Sequence, residues 1–160
     1  MSEQAALRSI ESYKPWLASV GADVTAPWQL LMFGDGPELA LELAELVARG
    51  PKRATAALPA EWTALGEALP KPGQRYIVHD WLGEPWALIE NTRVDIMPLC
   101  NADDAFAYDE GEGDRTLAWW RNAHEAYFRR ECPRFGLTFD WHMPVVFMRF
   151  RRLYPRPDPR

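Results

Sequence analysis

Apolar residues recur along the chain at two spacings, and each spacing predicts its own elements. At helical spacing, Leu7, Ile10, Tyr13 and Leu17 line one side of residues 3–20, a segment interrupted near Pro15. A second helix carries fuller signals. Pro37 stands in its first turn, Asp35 and Glu38 are three apart as a capping box, and Gly50 is the stop after Arg49. Leu39, Leu43, Leu46 and Val47 form its apolar stripe, with Glu38, Glu42 and Glu45 opposite. A third helix, over 116–130, gathers Leu117, Trp120, His124, Tyr127 and Phe128 on one side. Arg121/Glu125 and Glu125/Arg129 are its surface pairs at i,i+4, and Asp114 is placed to cap it.

Alternation and short apolar runs predict the strands: Trp28–Phe33, 54–58, Arg75–His79, Trp86–Met97 and Val145–Tyr154. Residues 60–69 read as one or two helical turns closed by Pro70 and Pro72. Within Trp86–Met97, period 2 places Glu90 on the apolar face with Trp86, Leu88, Val94 and Ile96. Either a bulge turns this acid outward or it points into the interior. Strands with three or four interspersed helices and no βαβ rhythm predict an α+β fold built on a small mixed barrel. No repeat or linker divides the chain, which reads as a single domain: a core over 28–155 behind a helical extension over 1–27.

Composition changes the picture in two ways. First, 48% hydrophobic and 26% charged residues over 160 positions exclude disorder and allow a substantial core without staples. Second, the net charge of −5 is unevenly spread: residues 129–160 carry +5 and the remainder −10. A general nucleic-acid coat is excluded on that balance, because phosphate binding runs on positive charge, while a basic strip on an acidic body is allowed. Cys100 and Cys132 read as reduced and at least partly buried thiols. Glu3, Arg8, Glu11 and Lys14 punctuate the N-terminus, which shows no secretory leader, and no apolar run approaches the ~18 residues that span a bilayer. A cytoplasmic protein is expected.

Metal and cofactor chemistry finds no motif. His79, His124 and His142 lack HExxH spacing, and the two cysteines are 32 positions apart. These histidines read as surface or satisfied core residues. The bend Gly50-Pro51-Lys52-Arg53-Ala54-Thr55 carries more information. A Thr hydroxyl needs an adjacent base, and a Lys amine serves as one if desolvation or a neighbouring cation such as Arg53 lowers its pKa. Residues three apart on an ideal strand face opposite ways, so this pair meets only if the turn bends between them; otherwise Lys52 is a solvated loop charge. The run Glu110-Gly111-Glu112-Gly113-Asp114 is the second candidate, its glycines leaving room for a close approach to the backbone.

The bend resembles the G-x-K-x-x-T-x-R loop of the ASCH domain family, a branch of the PUA-like domains. It matches at Gly50, Lys52 and Thr55, with Ala57 in place of the Arg. Phe33-Gly34-Asp35, Glu110-Gly111-Glu112-Gly113-Asp114-Arg115, Trp120-Arg121-x-x-His124 and Met143-Pro144-Val145-Val146 are similar to the longer bacterial branch, although Met148 stands where that branch has a Glu. The resemblance implies a small PUA-like β-barrel surrounded by helices, with a cleft between them. Some small bacterial members are amidohydrolases of N4-acetylcytidine and related acylated cytosines, using a Lys and a Thr of the loop and a Glu further along. Carried over, these are Lys52, Thr55 and Glu112, acting as base, nucleophile and proton shuttle or orienting acid. Asp35, Arg53, Glu90, Asp114, Arg115 and Trp120 complete the expected site as substrate contacts. Other members are ribonucleases or RNA-binding domains.

Two partners follow: a small nucleoside-like ligand in the cleft, or single-stranded RNA. In the RNA reading Arg149, Arg151, Arg152, Arg156 and Arg160 track phosphates while Trp81, Trp119 or Trp120 stack on bases. The arginines' plain alternative is a solvated edge strand. A protein-interaction domain with a silent cleft is the third reading.

Overall fold

The computed structural model describes residues 9–160, so residues 3–8 of the expected first helix, Leu7 among them, lie outside the described residues. The chain divides into two compact units: one of residues up to Gly50 with Gly73–Asn91 and Phe150–Arg160, the other of Pro51–Pro72 with Thr92–Arg149.

In the first unit a 3-10 turn, Ile10–Tyr13, runs into helix α1, Lys14–Ser19, with Pro15 in the first turn where its missing N–H costs nothing. Strand β1, Gln29–Leu31, pairs in parallel with β3, Arg75–His79, which pairs antiparallel with the first half of β4, Pro85–Pro98. Helix α2 spans Pro37–Arg49. Alternation along the strands sorts their side chains between two cores. Tyr76, Val78, Ala87 and Ile89 pack with Leu43, Ala44, Val47 and Ala48 of α2, and with Phe33 and Phe150. Ile77 and Leu88 face the other way, onto Tyr13, Leu17 and Trp28. Covered on both faces, β3 is an almost continuous apolar run. Gly36, rather than Asp35, is the N-cap of α2, and no side chain caps that helix; the expected capping box is not formed. Gly50 ends it, as expected, donating its N–H to the Leu46 carbonyl.

In the second unit β2, Ala54–Ala57, pairs antiparallel with the first half of β5, Pro144–Tyr154. Ala54, Ala56, Val145 and Phe147 pack against Phe106 and Ala107 of α4, Asp104–Glu110, and Trp120 and Phe128 of α5, Leu117–Glu131. Helix α3, Pro59–Ala64, follows β2. Helix α4, which the sequence pattern did not predict, is capped by Asp103, whose side chain accepts from the Phe106 N–H, and of the acidic run 110–114 only Glu110 lies within it. Thr116 caps α5 by accepting from the Trp119 N–H, so Asp114 is not the cap but the acceptor that orients it. Of the two expected surface pairs on α5, Glu125/Arg129 forms at 3.1 Å, whereas the Arg121 guanidinium lies over the Trp141 ring.

The strands hydrogen-bond in the order β1-β3-β4-β5-β2, with β4 and β5 running through both units. The α+β class and the mixed sheet agree with the sequence reading. The order has two ends, so the small mixed barrel of the sequence reading takes the form of an unclosed five-stranded sheet. It also makes β5 an interior strand, not an edge. Cys132 is buried, but Cys100 is exposed, contrary to the expectation for both thiols. No described helix is long and apolar enough to cross a membrane.

Candidate active site

Four ionisable side chains of the second unit converge behind the bend that leaves α2. Lys52 and Glu110 are each 1% exposed, His124 is buried, and the Glu112 side chain keeps 13% of its surface. The bend itself is pinned by the Arg53 N–H, which donates to the Asp109 carbonyl at 2.7 Å. Lys52 thus enters next to the C-terminal end of α4, which carries Glu110 on its buried face with Phe106 and Ala107.

The Lys52 ammonium has three acceptors: the Ala54 carbonyl at 2.8 Å, Glu110 Oε1 at 3.1 Å and Glu112 Oε2 at 3.0 Å. An ammonium has three protons, and these three acceptors match them one for one. Glu110 is satisfied as fully. Its Oε2 accepts from the Trp120 indole N–H and faces His124 Nε2 at 3.0 Å. His124 Nδ1 lies 2.8 Å from the Trp120 carbonyl, which can only accept, so Nδ1 bears a proton. The ring also stacks on Trp120, centroids 4.0 Å apart and 14° between planes.

Burial alone would strip the charge from every member, and pairing decides which ones keep it. Burial lowers the Lys52 pKa, but the charges of Glu112 and Glu110 overcome this and raise it overall. His124 behaves alike: burial pushes it down, and Glu110 more than restores it, so the imidazole is held charged. Burial pushes Glu110 up, yet the charges of His124 and Lys52 bring it well below the ordinary carboxyl range. Glu112 moves in the opposite direction. Burial raises it, Lys52 pulls it down, and the Glu110 charge and hydrogen bond push it up again. The cluster therefore holds two cations, one carboxylate held well below the ordinary carboxyl range, and one carboxyl with both a raised pKa and access to water. That last group is suited to proton transfer.

Glu110, Glu112 and His124 also offer ligand atoms within 4.8 Å of one another, a spacing compatible with a metal. In this arrangement the Lys52 ammonium is the cation that both carboxylates hold, and the second imidazole nitrogen is engaged with Glu110.

The remaining expected site residues divide. Thr55 is half-buried on β2, opposite Met148, and its hydroxyl makes no hydrogen bond to Lys52, Glu110 or Glu112. Arg53 folds back on the Lys52 carbonyl at 2.6 Å. Trp120 is inside the cluster and 1% exposed, so its faces are spent on His124 and on the core. Asp114 is exposed and committed to Thr116. Arg115 lies over the Tyr108 ring, 3.5 Å from its centroid, and donates to the Tyr108 carbonyl. Asp35 and Glu90 belong to the first unit. Glu90 is half-buried and clamped by Arg75 and Arg151, which answers how an acid sits on that face.

The sequence reading placed Glu110 in its acidic run without giving it a role, and it missed the part played by His124. The signal for Glu110 is the sequence Asp103, Phe106, Ala107, Glu110, Gly111: a cap, two apolar residues and an acid at helical spacing, then a left-handed stop. The glycines of the acidic run serve the chain itself. A Cβ on Gly111 would lie 2.7 Å from the Lys52 nitrogen, and one on Gly113 would lie 2.1 Å from the Trp119 ring.

Comparison with curated proteins gives no match. Among solved structures, an ASCH domain from Lactobacillus crispatus JV V101 is 32% identical, with a TM-score of 0.73 over 95% of both chains. Protein EF3133 from Enterococcus faecalis V583 is 33% identical, with a TM-score of 0.73 over 88% of this chain and 85% of that one. The family described as ASCH domain matches residues 29–154, a span that contains every member of the buried cluster. With that span and these identities, the chain belongs to the ASCH domain family.

Proposed function

We propose that the chain is an amidohydrolase of N4-acylated cytidine-like nucleosides, with Glu112 as the catalytic proton carrier. The observation that carries this reading is the pairing of a raised carboxyl, open to water, with a buried ammonium 3.0 Å away. Glu112 takes a proton from the water that attacks the acyl carbonyl. The C–N bond then breaks, and the same proton passes to the departing N4 nitrogen, giving cytidine and a free carboxylic acid. Lys52 is a positioning residue in this scheme, because its three protons are already held; Glu110, His124 and Trp120 fix it from behind. The substrate class comes from the family resemblance. It is supported by the acidic body, which suits an uncharged nucleoside, and by the internal engagement of Arg149 and Arg152 with Asp109 and Asp158.

The test is incubation with N4-acetylcytidine, following cytidine by chromatography. Turnover is expected, with kcat reduced about 10²–10⁴-fold in Glu112→Gln, the range of a lost general base. Absence of turnover overturns the reading. Salt-sensitive binding of single-stranded RNA without turnover would assign the chain to the family's RNA-binding members instead.

A further inference from the structure

The first unit contains a pocket of about 460 Å³ that has no part in the proposed hydrolysis. Its size lies within the range of small-molecule sites. The back wall is core: Leu88 is 2% exposed and Trp28 6%, with Leu153 and Tyr154 beside them. Tyr154 is itself braced edge-on by Trp16, centroids 5.7 Å apart. Arginine side chains border this apolar wall. Arg75 and Arg151 both line the pocket, with side chains 40% and 30% exposed.

Glu90 holds these two guanidiniums side by side. Arg75 donates Nε to Oε2 at 2.8 Å, and Arg151 donates Nε and Nη2 to Oε1 at 3.1 and 3.0 Å. Arg75 is directly opposite Glu90 in the β3–β4 register, so the clamp is built into the strands. Glu90 thus orders two cations, and Asp23, held below the ordinary carboxyl range chiefly by its Thr25 hydrogen bonds, also feels the Arg75 charge. The clamp uses one edge of each guanidinium, and the terminal nitrogens of Arg75 and one of Arg151 have no hydrogen bond within the described residues. Arg160 adds a third guanidinium to the lining. The acids that line the pocket are already committed. Asp23 accepts from the Thr25 N–H and hydroxyl, and Asp158 from the Arg152 N–H with its guanidinium alongside.

We propose that this pocket binds a small oxyanion, phosphate monoester or carboxylate, carried on a flat apolar body. The oxyanion takes the outward edges of Arg75 and Arg151, whose planar forks match its oxygens. The apolar body lies against Leu88, Leu153 and the rings of Trp28 and Tyr154. Its chemistry differs from that of the Lys52 cluster, whose ammonium is closed off by its own carboxylates.

The test is calorimetric titration of the full chain with phenyl phosphate, benzoate, phenol and inorganic phosphate, together with NMR of the Trp28 indole N–H. Saturable binding of phenyl phosphate, benzoate or both is expected, with a shifted Trp28 signal. The preferred probe identifies the oxyanion. Arg151→Gln should weaken binding about tenfold, one charged contact's worth. Arg160→Ser, which removes no hydrogen bond of the fold, should weaken it about threefold while leaving the melting temperature in place. The proposal is overturned if neither oxyanion saturates by about 5 mM, well past the weakest useful affinity. It is equally overturned if phenol or inorganic phosphate alone binds as tightly, or if the Trp28 signal does not move.

Discussion

Glu110 and Glu112 are two residues apart and share one ammonium, yet their carboxyl groups are driven in opposite directions. Burial pushes both up, but the charges of His124 and Lys52 bring Glu110 well down, whereas Glu112, drawn down by Lys52 and less by His124, is raised on balance by burial and by Glu110 itself. The cause is the balance of charge around each buried carboxyl, not the position in sequence. Because the two titrate as a pair, removing one changes the other. Glu110→Gln should therefore lower the pKa of the remaining Glu112, shifting the acid limb of the pH–rate profile down. An acid limb unmoved by that substitution would mean that Glu112 does not set it.

The same pairing fixes the charge of His124. Its pKa is raised in the fold, so the stability it contributes is complete below the unfolded imidazole's value of about 6.5 and is lost as pH rises through the higher folded value. Glu110 acts with the other sign: its contribution is present above the ordinary carboxyl pKa and is lost only as pH falls through its depressed value. Urea midpoints should thus decline on the alkaline side of neutrality in the wild type. In Glu110→Gln the larger pull on the imidazole is gone and only those of Glu112 and the Trp120 carbonyl remain, so the His124 ring signal should titrate lower than in the wild type by NMR. A ring that titrates where the wild-type ring does would show that Glu110 does not hold the charge.

Lys52 separates structure from chemistry. Lys52→Met removes the shared cation and leaves two carboxylates facing each other in the interior. A broken buried pair costs about 3–5 kcal/mol, and that loss should appear in denaturant unfolding. Adding Glu112→Gln to the same chain removes one uncompensated charge and should recover part of the loss, a coupling that a double-mutant cycle measures. Additive effects would mean that Lys52 and Glu112 are not energetically joined.

The glycines give a paired prediction. At Gly111 a Cβ would meet backbone atoms of Pro51 and Lys52 at 2.7 Å, at a φ of 67° that β-carbon residues avoid. Backbone cannot give way there, so Gly111→Ala should destabilise by at least about 2 kcal/mol and displace the Lys52 bend. At Gly113 the neighbour is the Trp119 ring, 36% exposed, which has solvent to turn into. Gly113→Ala should cost only about 1 kcal/mol, the left-handed backbone penalty alone. Equal losses at the two sites would refute the close approach of Gly111 to the bend.

The periodic elements were legible because one face of each is paid out in apolar residues: α2, α5, β3, β4 and β5 lie within a residue or two of their expected ends. Helix α4 was hidden because Asp103, Asp104, Asp109 and Glu110 outweigh its two buried apolar residues, and because one of those acids is itself buried. Glu90 was legible as an anomaly, an acid on an apolar face, but not its solution. Arg75 lies opposite it only through the β3–β4 register, and Arg151 comes from 61 residues away. The open sheet was not legible at all, since closure depends on whether β1 and β2 pair, and alternation within a strand is silent about partners.

Thr55 provides the sharpest test of the chemistry. Motif spacing pairs its hydroxyl with Lys52, but Lys52 turns back to the Ala54 carbonyl, and the Thr55 hydroxyl makes no hydrogen bond to the ammonium or to either carboxylate. A hydroxyl nucleophile needs a base within hydrogen-bond reach, and the ammonium, with its pKa raised, has no lone pair to offer. Water activated by Glu112 meets both requirements. Thr55→Ala should accordingly keep kcat within about threefold of wild type on N4-acetylcytidine, while Glu112→Gln loses about 10² or more. No acyl–enzyme burst should precede steady turnover. A loss in Thr55→Ala as large as that in Glu112→Gln, restored by Thr55→Ser, would make the hydroxyl the nucleophile and require the bend to rearrange around bound substrate.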